Sequence, residues 1–321
     1  MKLRYTGSKP EADITQLFSP TMEELFELDE KVVYLDADLM GSLKTQELWK
    51  KHPDRVFNCG IQEANMVGVA AGLFLAGYKP YIHSFSPFAT RRVFDQVFLS
   101  VGYAKKSVHL IGSDAGIMAT DNGGTHMCFE DLALMRSIPG ACVVDVSDAA
   151  MFMYLLKSTK DREGVTYFRT PRRNAPDIYE KDETFEVGKG KVLTEGEDLT
   201  IIASGVMTAT ALAAQRLLAE EGISARVVDP ITVKPLDEAL VLRCAEETGV
   251  IVTAENHNVI GGLGGAVAEL VSENCPVPVL RVGIRDQYGQ VGTEAFLREQ
   301  YGLNPEDIVK KAHLALEKKK K

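Results

Sequence analysis

Short runs of β-branched and other apolar residues alternate with longer stretches of helical periodicity over the first half of the chain. This alternation is typical of an α/β fold, in which crossover helices connect the parallel strands of a sheet. The predicted strands span residues 32–35, 81–85, 108–112, 142–145 and 166–169. The predicted helices span residues 22–28, 63–76, 89–103, 129–137 and 149–158. The pattern therefore predicts one parallel sheet for this half of the chain.

The pattern breaks after residue 169 and then begins again. Residues 170–183 contain two prolines and many charges without a sustained period, which predicts a linker that is exposed for most of its length. Further strands are predicted at 199–203, 225–229, 250–255 and 277–282, and further helices at 209–221, 236–247, 262–271 and 305–316. We therefore expect an α/β domain at residues 1–175, a linker at 176–190 and a second α/β domain at 191–321.

Composition and charge narrow the class of protein. A chain of 321 residues with 45% hydrophobic residues is long enough to form two hydrophobic cores. Its net charge of −9 argues against general nucleic-acid binding, which needs a basic surface. No apolar run approaches the roughly 20 residues of a membrane span, and the N-terminus lacks the charged-then-apolar layout of a signal peptide. We therefore expect the protein to be located in the cytoplasm. The five cysteines are scattered and never form a Cys-x-x-Cys pair, which disfavours a disulfide framework or a zinc site.

A glycine-rich turn in the second domain, residues 260–266, follows a predicted strand and opens a predicted helix. A dinucleotide fingerprint has similar spacing, but it belongs in the first strand–helix unit of its sheet and is followed by an acidic ribose ligand. This turn lies late in its domain. We interpret it as close helix–strand packing, with a nicotinamide or flavin site as the disfavoured alternative. For Glu255 and His257 nearby, at the end of a predicted strand, we expect a structural or interface role.

Glu63 begins a predicted helix that is otherwise built of small and apolar residues. A carboxylate beside such a surface loses solvation, which favours holding or sharing a proton. The alternative is that the positive end of the helix dipole simply favours an acidic residue there. The sequence around Glu63 alone leaves both interpretations open.

Other candidate side chains follow the predicted strands, at the edge where open α/β sheets bind ligands. Phe85 and Phe88 flank Pro87, which breaks the strand, so both rings can project into a loop or pack in the core. The long glycine-rich loop 112–126 ends in His126, and irregular loops of this length are usually functional. Beyond the fifth strand, the arginines at positions 169, 172 and 173 form either an anion site or a solvated basic edge.

Several of these segments, in this order, resemble motifs of the transketolase family of thiamin diphosphate enzymes. They are Asp36-Ala-Asp38-Leu-Met-Gly-Ser42, Gly60-Ile-Gln-Glu63, Phe85-Ser-Pro-Phe88, and Asp121-Asn-Gly-Gly-Thr-His126 followed by Arg136-Ser-Ile-Pro. The resemblance covers nearly the whole chain. It implies a pyrimidine-binding domain of parallel-sheet fold followed by a transketolase C-terminal α/β domain.

The resemblance also implies a missing part. Transketolases of full length carry a further domain, whose Gly-Asp-Gly and Asn residues bind magnesium and the cofactor diphosphate, and that motif does not occur here. A diphosphate needs a metal or hydrogen-bond donors to neutralise it. The resemblance therefore implies that a partner subunit supplies magnesium and the diphosphate site, in a heterotetramer of two copies of each subunit.

The resemblance assigns the cofactor contacts residue by residue. Glu63 would bond a pyrimidine nitrogen and promote proton removal from the thiazolium carbon. Phe88, together with Phe85, would stack on the pyrimidine ring. Asp38 and Ser42 would lie near the thiazolium ring and the substrate.

Substrate contacts follow in the same way. Asp121 and His126 would bind sugar hydroxyls, with His126 also relaying protons or orienting the carbonyl. Because the loop is one residue longer than usual, Asn122 can take the place of Asp121. Arg169 would hold the substrate phosphate, with Arg91 or Arg92 as a substitute.

The implied activity is transfer of a two-carbon ketol unit from a ketose phosphate to an aldose phosphate. Related alternatives are a deoxyxylulose-phosphate-synthase-like subunit, suggested by Phe94-Asp-Gln-Val97, and a 2-oxoacid dehydrogenase β-like subunit, whose family lacks the Thr-His loop. An alternative of another class is a non-catalytic regulatory subunit that retains the fold.

Overall fold

Two sheets organise the computed structural model, which describes residues 3–8, 10–171, 173 and 175–319. The first sheet comprises β1 (Val32–Asp36), β2 (Val56–Asn58), β3 (Lys79–Phe85), β4 (Val108–Ser113), β5 (Cys142–Asp145), β6 (Val165–Thr170) and β10 (Thr232–Lys234). The second comprises β7 (Lys191–Thr194), β8 (Leu199–Ala203), β9 (Ala225–Asp229), β11 (Ile251–Asn258) and β12 (Val279–Ile284). The strand order is β10-β5-β6-β4-β3-β1-β2 in the first sheet and β12-β11-β8-β9-β7 in the second.

Helices cover both faces of the sheets. The first half contains α1 (Ile14–Leu28), α2 (Met40–Leu43), α3 (Gln46–Lys51), α4 (Glu63–Leu75), α5 (Ser86–Ala89), α6 (Phe94–Gln96), α7 (Asp131–Ser137) and α8 (Ala149–Ser158). The second half contains α9 (Met207–Glu220), α10 (Glu238–Thr248), α11 (Leu263–Asn274), α12 (Glu294–Tyr301) and α13 (Pro305–Lys319). In the described part of the chain, no helix is both long and apolar enough to cross a membrane.

The predicted two-domain α/β fold is confirmed, with parallel pairing among the five strands predicted for the first sheet. Every residue of β1, β4, β5 and β6 is buried, as expected for a parallel sheet covered on both faces. The register pairs Asp36 with His83 and Phe85 with Ser113. The carboxyl ends of β1, β3 and β4 therefore meet at one edge of the sheet.

The two halves of the chain are interlocked. Strand β10, from the second half, pairs antiparallel with β5 of the first sheet, so a division by chain position does not divide the sheets. The prediction of an exposed linker is wrong, because Ile178 and Tyr179 are fully buried. Their backbone amides both donate to Asp148 Oδ2 at 2.9 Å. This carboxylate thus holds the connecting segment against the first domain.

The predicted helix 89–103 is not continuous. The chain forms α5, a 3-10 turn at Arg91–Val93, the short helix α6, and then a π-helix at Val97–Tyr103. The break lies at Thr90, whose backbone adopts φ −124° and ψ −83°. Arg91 and Arg92 follow this break directly, in the 3-10 turn.

Candidate active site

Glu63 lies in the first turn of α4, as predicted, and is only 4% exposed. Buried apolar residues of the same helix, including Met66 and Val67, pack behind it. Its Oε1 accepts a hydrogen bond from Arg92 Nη1 at 2.7 Å. The core therefore holds the carboxylate from one side and the Arg92 guanidinium holds it from the other.

An aromatic cluster continues from this ion pair. The Arg92 guanidinium carbon lies 3.8 Å from the centre of the Phe88 ring. The Phe88 ring is 5.2 Å from that of His126, edge to face, and the Phe85 ring is 6.0 Å from that of His126. The structure thus brings five predicted site residues into one continuous group, although they come from three separate segments.

The ring of His126 is oriented by its neighbour and by its loop. Its Nδ1 lies 2.9 Å from Thr125 Oγ1, which leaves Nε2 as the other polar atom of the half-buried ring. Loop backbone packs directly on the second domain, because a Cβ on Gly124 would lie 2.4 Å from the carbonyl oxygen of Gly289. Asn256, also from the second domain, accepts from the amide of Ile117 at 3.1 Å. The second domain therefore positions the loop that carries His126.

Asp38 is connected to the turn before Glu63 through Asn58, a residue that the sequence did not single out. Asn58 Oδ1 accepts from the amides of Asp38 and Gly60 at 3.1 and 2.9 Å, and its Nδ2 donates to Asp38 Oδ1 at 3.0 Å. Asp38 itself adopts φ +63°, a left-handed conformation that needs such support. The position of Asn58 as the last residue of the short strand β2 is the sequence feature that points to this role.

A buried polar chain lies beneath the same edge of the sheet. His83 Nδ1 is 2.8 Å from Asp36 Oδ2, and His83 Nε2 is 3.0 Å from Ser113 Oγ. All three side chains are fully buried. Asp36 also accepts from the amide of Leu39, next to Asp38. His83 was not singled out from the sequence. Its place in this buried hydrogen-bonded series indicates that it fixes the loop of Asp38 rather than contacting a ligand.

The contacts of Arg169 argue against its predicted role as a ligand of the substrate phosphate. It is 2% exposed and donates to Asp131 Oδ2 at 2.8 Å, to Asp145 Oδ1 at 3.1 Å and to the carbonyl oxygen of Asn256 at 2.6 Å. Two carboxylates already neutralise this guanidinium, and it has no open face toward solvent. We therefore do not retain Arg169 as a phosphate ligand. Of its neighbours, Arg172 lies outside the described residues and Arg173 is exposed.

The remaining predicted substrate residues lie at the periphery. Arg91 is half exposed and pairs with Glu130. Asp121 and Asn122 are exposed at the tip of the loop, and Ser42 is half-buried in α2. Among the described residues, no hydrogen bond or ion pair joins Ser42, Asp121 or Asn122 to the His126 side chain, so their roles stay predictions.

The backbone amides at the glycine-rich turn of the second domain are bound by a side chain of the protein itself. Glu255 is fully buried and accepts from the amides of Leu263 and Gly264, at 2.7 and 2.9 Å, at the start of α11. Burial raises the pKa of Glu255 to about 7. A carboxylate from the preceding strand thus takes the position that a phosphate occupies in a dinucleotide fingerprint. This is the close helix–strand packing expected of the turn.

Replacing Gly262 with Ala should destabilise the protein by about 1–3 kcal/mol, because overpacking a buried site forces its neighbours apart. A Cβ there would lie 1.9 Å from Glu255 Oε2 and 2.6 Å from His257 Nδ1. Gly265→Ala, in the first turn of the helix that Gly262 caps, is the matched control: a Cβ there would have its nearest neighbours at 3.5 and 3.6 Å, and Ala should be neutral or stabilising by up to about 1 kcal/mol. Urea unfolding measures both, and equal midpoints for the two variants would contradict the packing argument.

Comparisons with known proteins match both domains of this chain. The sequence-family model of the transketolase pyrimidine-binding domain matches residues 10–177. The sequence-family model of the transketolase C-terminal domain matches residues 188–308. A 6-deoxy-6-sulfo-D-fructose transketolase subunit, SqwH, from Clostridium sp. (strain MSTE9) is 48% identical over 92% of each chain. A putative transketolase C-terminal section from Methanocaldococcus jannaschii is 41% identical over 92% of this chain and 93% of that protein. A solved structure described as a split gene transketolase, inactive beta4 tetramer, matches with a TM-score of 0.87 at 42% identity, covering 96% of this chain and 99% of the other.

Proposed function

This chain belongs to the transketolase family, and we propose that it is the subunit of a split transketolase that carries the pyrimidine-binding and C-terminal domains. In this proposal a partner subunit supplies the magnesium and diphosphate site, two copies of each subunit assemble in the cytoplasm, and the complex transfers a two-carbon ketol unit between sugars. The similar proteins support a divided enzyme, since one is named a subunit and another a C-terminal section.

One observation carries the assignment of the cofactor site. A flat cation with N–H donors, the Arg92 guanidinium, lies over the Phe88 ring at 3.8 Å and bonds the buried Glu63 carboxylate at 2.7 Å. A pyrimidine ring with an amino group needs the same two contacts, an aromatic face and a carboxylate beside a ring nitrogen. Glu63, Phe88 and the adjacent Phe85 therefore fit the pyrimidine end of thiamin diphosphate, and we propose Asp38 for the neighbouring part of the cofactor.

In the reaction, bound thiamin diphosphate would supply the nucleophilic carbon that attacks the ketose carbonyl. Glu63 would hold and return a proton at Oε1, in a setting where solvent cannot compete for it. Phe88 and Phe85 would shield that proton from water. His126 would present Nε2 to a sugar hydroxyl or carbonyl, because Thr125 engages its Nδ1.

We propose the residues that bind the substrate from the positively charged and polar side chains next to the cluster. Arg92 belongs to the cluster and Arg91 precedes it in the same 3-10 turn; their side chains are 44% and 49% exposed, and either can bind the anionic end of a sugar. Asp121 or Asn122, with Ser42, would bind hydroxyls. The similar Clostridium protein is named for a sulfonated ketose, so the anionic group can be a phosphate or a sulfonate.

The proposal is tested by reconstituting the chain with an N-terminal transketolase subunit, thiamin diphosphate and Mg²⁺. We expect ketol transfer from fructose 6-phosphate or 6-deoxy-6-sulfofructose to an aldose phosphate by the complex, and none by either subunit alone. Pyruvate with glyceraldehyde 3-phosphate is the comparison pair. Turnover of that pair alone would favour the deoxyxylulose-phosphate-synthase-like or 2-oxoacid dehydrogenase-like alternative, and a stable complex without any turnover would favour the regulatory subunit.

A further inference from the structure

Arg92 makes both of the contacts assigned above to the pyrimidine ring. Its guanidinium is planar, carries a positive charge and donates N–H bonds, so it presents to Phe88 and Glu63 the same chemistry as an aminopyrimidine. A second flat group cannot lie on the same face of Phe88 at the same time, because the guanidinium is already at stacking distance. Arg92 and the cofactor ring are therefore mutually exclusive in this position.

We propose that Arg92 competes with thiamin diphosphate for the pyrimidine pocket and is displaced when the cofactor enters. The inference rests on the proposed function, since it concerns the same pocket. Arg92 keeps the Glu63 carboxylate paired until that exchange occurs. An unpaired buried carboxylate would otherwise carry a desolvation penalty.

The two partners differ in how easily they can move. The Glu63 side chain is 4% exposed at the start of a regular helix, whereas the Arg92 side chain is 44% exposed in a short 3-10 turn. The hydrogen bond described for the Arg92 side chain goes to Glu63. Releasing Arg92 therefore breaks one half-exposed ion pair and one cation–π contact, both of modest strength.

Displacement would also give Arg92 a second role. Arg91, its neighbour, stays paired with Glu130, so the cation set free by cofactor entry is Arg92. At the mouth of the pocket it can bind the phosphate or sulfonate of the sugar. Arg92→Ala should therefore change cofactor and substrate binding in opposite directions.

The test is calorimetric titration of thiamin diphosphate, with Mg²⁺ present, into the reconstituted complex. We expect Arg92→Ala to lower the Kd for the cofactor by about five- to thirtyfold, which corresponds to ~1–2 kcal/mol. The KM of the anionic sugar should rise in the same variant. Arg92→Gln, neutral but still polar, should also bind the cofactor more tightly. Arg91→Ala is the matched control and should leave the cofactor Kd unchanged.

An unchanged or raised cofactor Kd in both Arg92 variants would overturn the competition, and a raised Kd would place Arg92 among the groups that hold the cofactor. Equal tightening in Arg91→Ala would overturn it too, because the effect would then come from net charge. Failure of the unmodified complex to bind thiamin diphosphate is a different result. It would remove the proposed function, and with it this inference.

Discussion

Replacement of Glu63 with Gln is expected to lower the kcat of the reconstituted complex by about 10²- to 10⁴-fold, the range for losing a positioned proton-transfer group. Gln has nearly the same shape but cannot hold and return a proton at the Oε1 position. Because Glu63 is 4% exposed, water cannot readily replace it. Steady-state turnover at saturating cofactor measures the effect.

Glu130→Gln is the matched control for this change. Glu130 also pairs with an arginine of the 3-10 turn, Arg91, but its side chain is 37% exposed. We expect its kcat to stay within a few-fold of the unmodified complex. Both variants should unfold at the same urea concentration as the parent chain. Full turnover with Glu63→Gln would remove Glu63 from the chemistry and favour the non-catalytic regulatory subunit.

The sequence singles out several residues of this cluster because each lies in a short segment with its own local pattern. Glu63 at a helix start, Phe88 beside a strand-breaking proline and His126 at the end of a glycine-rich loop each carry a local signal. Parallel pairing then brings the strand ends together without further information. The contact between Arg92 and Glu63 was not predicted from the sequence. Arg92 lies in a 3-10 turn after the irregular backbone at Thr90, where the pattern predicts a continuous helix.

The features that were not predicted from the sequence depend on contacts between residues far apart in the chain. Strand β10 has three residues and pairs with a strand almost ninety positions earlier, so no local pattern predicts it. In the connecting segment, charged residues and prolines surround Ile178 and Tyr179 and hide the buried pair. The buried chain through His83 is likewise invisible, because Asp36 and Ser113 become its neighbours only through sheet register.

The surroundings of Arg169 argue against the phosphate role that the sequence suggests for it. An arginine at the end of a strand fits a phosphate site by sequence, but Asp131 and Asp145 face it from α7 and β5. Its third partner, the carbonyl oxygen of Asn256, belongs to the second domain. Arg169 therefore binds the two domains together, and its removal should affect stability before it affects the substrate.

Arg169→Met should destabilise the chain by about 3–5 kcal/mol, the usual cost of removing one partner from a buried ion pair. Met retains much of the volume, so the loss comes mainly from Asp131 and Asp145, which remain buried without a cation. Arg173→Met, four residues later and exposed, is the control and should change stability by less than about 0.5 kcal/mol. Urea unfolding followed by circular dichroism measures both. An Arg169→Met chain that unfolds like its parent, yet shows a raised KM for the sugar phosphate in the complex, would restore the phosphate role and contradict the structural one.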